Sequence, residues 1–202
     1  MARGRDPVDV LTISPRLRFL LAASVYMILA RFAAEALALP PGYSTSLWPA
    51  AGWALWVATK FGIPGLLGIA CGSIANNTYA DPSWFNVPIG VCAGLQAGAA
   101  TLLWRAATAY TWSAKPAPPI KEPMCLGALL FAGITTGAVP CAVVGPSMLK
   151  LSGKLDPVFD SYGALVGALP PNWAHQSFNW WFGDALGIAV MLPLCVFLLE
   201  EK

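Results

Sequence analysis

Asp184 is the residue of this sequence most able to do chemistry, because it lies in an apolar stretch too long for a helix of a soluble protein. Only small or apolar residues follow it as far as Leu199. A carboxylate at membrane depth is costly, and it usually marks a functional site or a specific partner. We therefore place Asp184 at the centre of a candidate binding site.

A second set of ionisable residues, Arg31 and Glu35, lies in the first apolar stretch. Their spacing of four puts them on one helix face, so they can form an intramembrane charge pair. Two interpretations stay open. The pair either responds to a ligand or a proton, or it neutralises itself and holds the first helix against a neighbour, since buried pairs are often kept for specificity. Asp184 is a second candidate partner for Arg31.

The composition predicts an integral membrane protein. Hydrophobic residues make up 57% of the chain and charged residues 11%, against about 25% charged in a soluble domain. The five cysteines all lie in apolar stretches and form no CxxC pair, so we expect packing residues rather than a disulfide framework or metal site. No metal or cofactor is expected, and the lack of basic patches excludes nucleic acid as a partner.

Apolar stretches of about 20 residues predict the membrane-spanning helices. Six are expected, at about 17–39, 48–62, 63–79, 85–105, 123–149 and 173–199. The shorter apolar stretch 162–171 is predicted to be re-entrant or interfacial. The expected fold is all-α and integral to the membrane, a compact bundle of about six helices. Residues 1–15 form an N-terminal tail, 16–199 the membrane domain, and 200–202 the start of a cytoplasmic segment.

The basic residues predict the orientation of this bundle. With the N-terminus inside, only Lys150 and Lys154 face outward and Arg31 lies within the membrane. The positive-inside rule therefore favours both termini in the cytoplasm. Small residues recur every four positions, as in Gly68/Gly72 and Gly183/Gly187, which predicts close helix packing. Packing within one chain is favoured over a homodimer, which stays the alternative.

Polar residues along several spans could line a cavity that opens outward. The last span carries a stripe of Asn172, Gln176 and Asn179 that descends to Asp184. The alternative is that these side chains make interhelical hydrogen bonds, worth about 0.6 kcal/mol each. The predicted ligand-binding residues are Trp48, Pro49, Gly52, Asn76, Asn77, Gln96, Asn179, Trp180 and Asp184.

Catalysis finds little support in the sequence. His175 is the single histidine, and there is neither a Ser-His-Asp set nor a phosphate-binding loop. A membrane enzyme that uses Asp184 and His175 is a minor alternative, and we expect no enzymatic activity. Pro193 should kink the last span near its inner end, where a kink could pass on movement.

Three segments carry a resemblance to a known family. They are Ser46–Leu55 with Trp48-Pro49-x-x-Gly52, Gly65–Asn77, and Trp180–Ile188 with Gly183-Asp184-x-x-Gly187 and Pro193 six residues later. Over about 16–199 the chain resembles the first MASE family of bacterial integral-membrane sensor domains. Ala50 stands where that family commonly has a second proline.

The resemblance implies a role in signal transduction at the bacterial inner membrane. Such domains precede histidine kinases, diguanylate cyclases and phosphodiesterases, so the expected partner is an output domain of two-component or cyclic-di-GMP signalling, fused or separate. The lipid bilayer and a partner membrane protein are further expected partners. The resemblance supplies no ligand. The alternative function is the substrate-binding membrane subunit of a vitamin-type uptake transporter.

Overall fold

The computed structural model describes residues 13–39, 44–108, 120–157 and 172–200. These ranges are helical apart from one small antiparallel ladder and the connections. The elements are α1 (Pro15–Ala36), β1 (Ala38–Leu39), β2 (Ser44–Thr45), α2 (Pro49–Ala80), α3 (Asn86–Ala107), α4 (Pro123–Ala132), a π-helical turn (Gly133–Gly137), α5 (Val139–Leu151) and α6 (Trp173–Leu199).

Five helices of the described part are long and apolar enough to cross a membrane. They are Pro15–Ala36, Pro49–Ala80, Asn86–Ala107, Pro123–Leu151 and Trp173–Leu199. Large apolar side chains such as Ile28, Leu95 and Phe197 are exposed on their outer faces, which suits contact with lipid. The prediction of a helical, multi-pass membrane protein is confirmed at this level.

The predicted second and third spans both lie within α2, which is interrupted at Gly62. This residue has φ 61° and ψ −140°, a backbone conformation that favours glycine. Trp53 donates its indole N–H to the carbonyl of Ala22, and Gly68, on the other side of the break, also packs against Ala22. The chain therefore folds back at Gly62 into two arms, 49–61 and 63–80.

The first arm begins beside the middle of α6 and not at an end of the bundle. The backbone N–H of Trp48 donates to the carbonyl of Gly183 at 2.9 Å. At the other end of the arm, Lys60 pairs with Glu200 at 2.8 Å. The arm thus runs parallel to the second half of α6 and is about 20 Å long at 1.5 Å per residue, short of the roughly 30 Å of a bilayer core. The stretch 162–171, predicted as re-entrant, lies outside the described residues.

A π-helical turn interrupts the span Pro123–Leu151. The amide of Ala138 donates to the carbonyl of Gly133, five residues back, and not to that of Ile134, its partner in a regular α-helix. The carbonyl of Ile134 accepts instead from the indole of Trp181 at 2.9 Å. This bond ties the turn to α6 and satisfies a carbonyl that the irregular helix leaves without its usual donor.

The small residues of the helices pack against other helices of the same chain. Gly72 faces the backbone of Ala23 in α1, Gly90 faces Ile74, and Gly145 faces the ring of Trp180. A β-carbon at any of these positions would meet the neighbour too closely. This is the close intrachain packing that the four-residue spacing predicts.

Candidate functional site

A cavity of about 180 Å³ lies inside the bundle, enclosed by α1, both arms of α2, α3, α5 and α6. Its polar lining comes from residues far apart in sequence. They are Tyr26, Ser44, Thr45, Trp48, Ser73, Asn76, Asn77, Gln96, Cys141, Trp180 and Asp184. The backbone of α6 joins the wall at Gly183, where the missing side chain leaves room for the carbonyl of Thr45.

Asp184 and Gln96 form the polar floor of this cavity. Both are buried, with exposed fractions of 7% and 6%, and the Gln96 amide donates from Nε2 to Oδ2 of Asp184 at 3.0 Å. The salt bridges of the described residues join Arg31 to Glu35, Lys60 to Glu200 and Lys154 to Asp81. Within this part of the chain, Asp184 therefore has no cationic partner.

Two amide oxygens of cavity-lining residues are buried and accept no hydrogen bond from the described residues. They are Oε1 of Gln96 and Oδ1 of Asn76, and both residues line the cavity. Because the amide nitrogen of Gln96 donates to the carboxylate, the atom of this side chain that has no hydrogen-bond partner is its oxygen. A buried acceptor without a donor costs about 1–3 kcal/mol, so a donor that reached either oxygen would be favoured.

Aromatic side chains form much of the remaining wall. The indole of Trp48 donates to the hydroxyl oxygen of Tyr26 at 3.4 Å, which links the start of α2 to α1. Trp180 lies against Gly145 so closely that a β-carbon there would overlap its ring. The position of Trp180 is thus set by a small residue on α5.

The cavity extends from the floor toward one end of the bundle. On the second arm of α2, Ser73, Asn76, Asn77 and Ala80 line it at helical spacing. Ala80 is exposed and precedes Asp81, which pairs with Lys154. We call this the Asp81 end of the bundle, and the opposite end, where Lys60 pairs with Glu200, the Glu200 end.

Six of the nine predicted binding residues line this cavity. They are Trp48, Asn76, Asn77, Gln96, Trp180 and Asp184. The other three, Pro49, Gly52 and Asn179, are not among the residues of its wall. Pro49 is buried in the first turn of α2. Gly52 instead packs against the carbonyl of Gly187, where a β-carbon would come within 2.6 Å.

Sequence reasoning missed Tyr26, Ser73 and Cys141 as cavity residues. A signal for Tyr26 existed: it falls on the buried face of α1 with Ala22, Ala30 and Ala33. A single large residue among alanines at helical spacing indicates a side chain that reaches into the bundle. Nothing in the sequence marks Cys141, whose place depends on the break at the π-helical turn.

Arg31 pairs with Glu35, at 2.9 Å, and not with Asp184. Glu35 keeps an exposed fraction of 66%, and the Arg31 guanidinium lies 5.1 Å from the ring centre of Tyr79. Neither residue of the pair lines the cavity. This geometry favours the interpretation that the pair holds α1 against the end of α2.

The remaining candidates lie elsewhere on α6. His175 is exposed and stands about 13 Å along the helix from Asp184 at 1.5 Å per residue, too far for the two to act on one atom. α6 continues as a helix through Pro193, midway between Asp184 and Glu200. In the part of the chain that the structure describes, no three His, Cys, Asp or Glu side chains cluster as metal ligands.

Comparisons with protein-family models, with curated proteins and with solved structures give no match. The function of the chain therefore has to be inferred from the geometry of its own residues.

Proposed function

We propose that this chain is the signal-input module of a membrane sensor, in which occupancy of the cavity is passed along α6 to the cytoplasmic side. One observation carries the proposal. α6 holds Asp184 in the cavity floor and is followed directly by Glu200, about 24 Å away at 1.5 Å per residue. A single continuous helix thus connects the candidate binding site to one end of the bundle.

The first arm of α2 is joined to α6 at both of these levels. Near the cavity, the Trp48 amide bonds to the Gly183 carbonyl. At the Glu200 end, Glu200 accepts from the Trp56 indole at 3.0 Å and pairs with Lys60. A ligand that favours one spacing of Trp48 and Asp184 would therefore bias the contacts of Glu200, by no more than its preference between the two arrangements.

Charge distribution supports a cytoplasmic Glu200 end. Arg16 lies beside Ile63 and Pro64, near the fold-back of α2. Trp104, the neighbour of Arg105, donates its indole N–H to the carbonyl of Cys125, near Lys121. The positive-inside rule then puts both termini in the cytoplasm. The bundle has six helical segments in this proposal, one of them the half-length arm 49–61, and its cavity opens outward from a bacterial inner membrane.

The resemblance to the first MASE family supports the choice of output. In this proposal the chain has no enzymatic activity, and α6 acts on a histidine kinase, cyclase or phosphodiesterase domain, fused or separate. Pro193 leaves the carbonyl of Ala189 without its helical donor, so α6 has a point of adjustment between Asp184 and Glu200.

A chimera tests the relay. Residues 1–202 are fused to the catalytic domain of a diguanylate cyclase, and cellular cyclic-di-GMP is measured together with the amount of protein in the membrane. Asp184→Asn and Trp48→Phe should each change output by about fivefold or more at equal protein amounts. Glu35→Gln, a charge removal outside the cavity, is the matched control and should leave output unchanged. Equal output from all four proteins would contradict the proposal.

A second candidate function is the substrate-binding subunit of an uptake transporter. The observation that favours it is the first arm of α2, which begins inside the bundle beside the cavity, as discontinuous helices do at transporter binding sites. The two functions differ in what happens to a bound molecule. In proteoliposomes a transporter subunit with its partners would accumulate labelled ligand inside the vesicles, whereas a sensor would bind it in a fixed ratio to protein.

A further inference from the structure

We infer that the cavity takes a small organic cation, a protonated amine with a body about the size of a benzene ring. The inference deepens the proposed function, since it rests on the same cavity being the binding site, and it names the chemical class of the ligand.

The first support is a buried carboxyl group that has no cationic partner among the described residues. Asp184 is buried in the cavity floor, and among the described residues that line the cavity there is no Lys, Arg or His. A carboxylate in a low-dielectric interior is costly unless a positive charge accompanies it. An ammonium group in the cavity supplies that charge.

The second support is the hydrogen-bonding character of the floor. The cavity lining includes the carboxyl group of Asp184 and the side chains of Gln96 and Asn76, whose amide oxygens are buried and have no donor. An ammonium group has three N–H donors and no acceptor. It can therefore donate to the Asp184 carboxylate, whereas a carboxylate or phosphate ligand would bring more acceptors and a repulsive charge to the same place.

The third support is the aromatic and apolar wall. Trp48, Trp180 and Tyr26 surround the volume next to the floor, and aromatic rings attract organic cations. Ala51, Ala54 and Ala93 complete the wall with methyl groups. This lining suits the hydrocarbon body of an amine better than a hydrated metal ion, which requires several oxygen ligands.

The volume sets the size of the ligand. An engineered protein cavity of about 150 Å³ is known to hold benzene, and the present cavity measures about 180 Å³. A ring with one short substituent therefore fits, and a larger metabolite would have to extend toward the Asp81 end.

Three probes of similar size test the charge directly on the purified full chain in detergent. Benzylammonium, benzyl alcohol and benzoate share a ring and differ in charge, and isothermal titration calorimetry measures their binding. Benzylammonium should bind about tenfold or more tightly than benzyl alcohol, and benzoate should not bind measurably. Asp184→Asn should lose about tenfold or more of the benzylammonium affinity. Asp156→Asn removes an exposed carboxylate outside the cavity and should change nothing.

The comparison of the three probes on the wild-type chain decides the inference even if a variant fails to fold. Equal affinity for ammonium and alcohol would overturn it in favour of a purely apolar cavity. Displacement of benzylammonium by millimolar Na⁺ alone would overturn it in favour of a metal-ion site. Failure of amine binding while Asp184→Asn still alters the output of the cyclase fusion would reject the ligand class and retain the proposed function. Amine binding together with an unchanged output of the Asp184→Asn cyclase fusion would retain the ligand class and reject the proposed function.

Discussion

The backbone amide of Trp48 donates a hydrogen bond to the carbonyl oxygen of Gly183 across 2.9 Å. This contact joins the residue at the start of α2 to the helix that carries Asp184. The close approach of the two backbones depends on glycine at 183 and 187 of α6. A β-carbon at 183 would come within 2.6 Å of the Thr45 carbonyl, and one at 187 would overlap the Trp48 carbonyl. The sequence assigned these two glycines to helix packing. In the structure they leave room for residues 45–48 at the wall of the cavity.

Gly187→Ala should therefore destabilise the protein. The added β-carbon would meet backbone and not a flexible side chain, so α2 must move away from α6, and overpacking of this kind costs about 1–3 kcal/mol. Thermal unfolding in detergent measures the effect. Displacement of Trp48 should also weaken any binding in the cavity.

The matched control for this substitution is Gly127→Ala in α4. Gly127 is also helical, and nothing lies within 4 Å of the position of its β-carbon. Alanine there should be neutral or stabilising by up to about 1 kcal/mol, the difference in helix propensity. Equal destabilisation by both substitutions would show that the contact at Gly187 is not the cause.

Gly62→Ala should destabilise through the backbone alone. The position is open, with no atom within 4 Å of the β-carbon, but φ is +61°. A conformation of this kind costs an L-residue about 1–3 kcal/mol. Thermal unfolding of Gly62→Ala and of Gly127→Ala under the same conditions separates the effect of the backbone conformation from that of the added side-chain volume. D-alanine introduced at 62 by semisynthesis should restore stability, and an unrestored variant would contradict this explanation.

Trp181→Phe should cost more stability than Trp173→Phe. The Trp181 indole is the partner of the Ile134 carbonyl in the π-helical turn, and a carbonyl left without a donor in an apolar setting costs about 1–3 kcal/mol. The Trp173 indole donates at 3.1 Å to an exposed Ser147 hydroxyl, which can find water instead. Unfolding temperatures of the two variants give the comparison, and a reversed order would show that the π-helical turn does not need this bond.

The ion pair of Lys60 and Glu200 should contribute measurable coupling between the two elements of the proposed relay. A double-mutant cycle with Lys60→Gln and Glu200→Gln should give about 1 kcal/mol, since both side chains are largely buried, with exposed fractions of 23% and 11%. The Arg31 and Glu35 pair, in which Glu35 is 66% exposed, should give less than about 0.5 kcal/mol. A coupling near zero for Lys60 and Glu200 would exclude the contact at the Glu200 end from the proposed relay.

Much of the cavity lining could be predicted from the sequence, because a polar residue is easily recognised in an apolar membrane-spanning stretch. Asp184, Gln96 and Asn76 stand out as polar groups in apolar stretches, and each lies in the cavity wall. Gly52 and Asn179 were predicted to bind the ligand as well but do not line the cavity, since a residue's position along a helix does not tell which neighbour its face meets. Gly52 turns to α6 at Gly187, away from the cavity that its neighbour Trp48 lines.

By itself, the sequence determined the class of the protein and the approximate ends of its helices, because these depend on local hydrophobicity, prolines and glycines. Even the break at 62 was marked by Gly62 and Pro64. Only the tertiary structure decided that Trp48 joins α6 at Gly183, so that the first arm begins inside the bundle, and that Trp181 bonds to Ile134. These contacts link residues more than 40 positions apart, and the helix rotations that allow them are set by the packing of all the helices together.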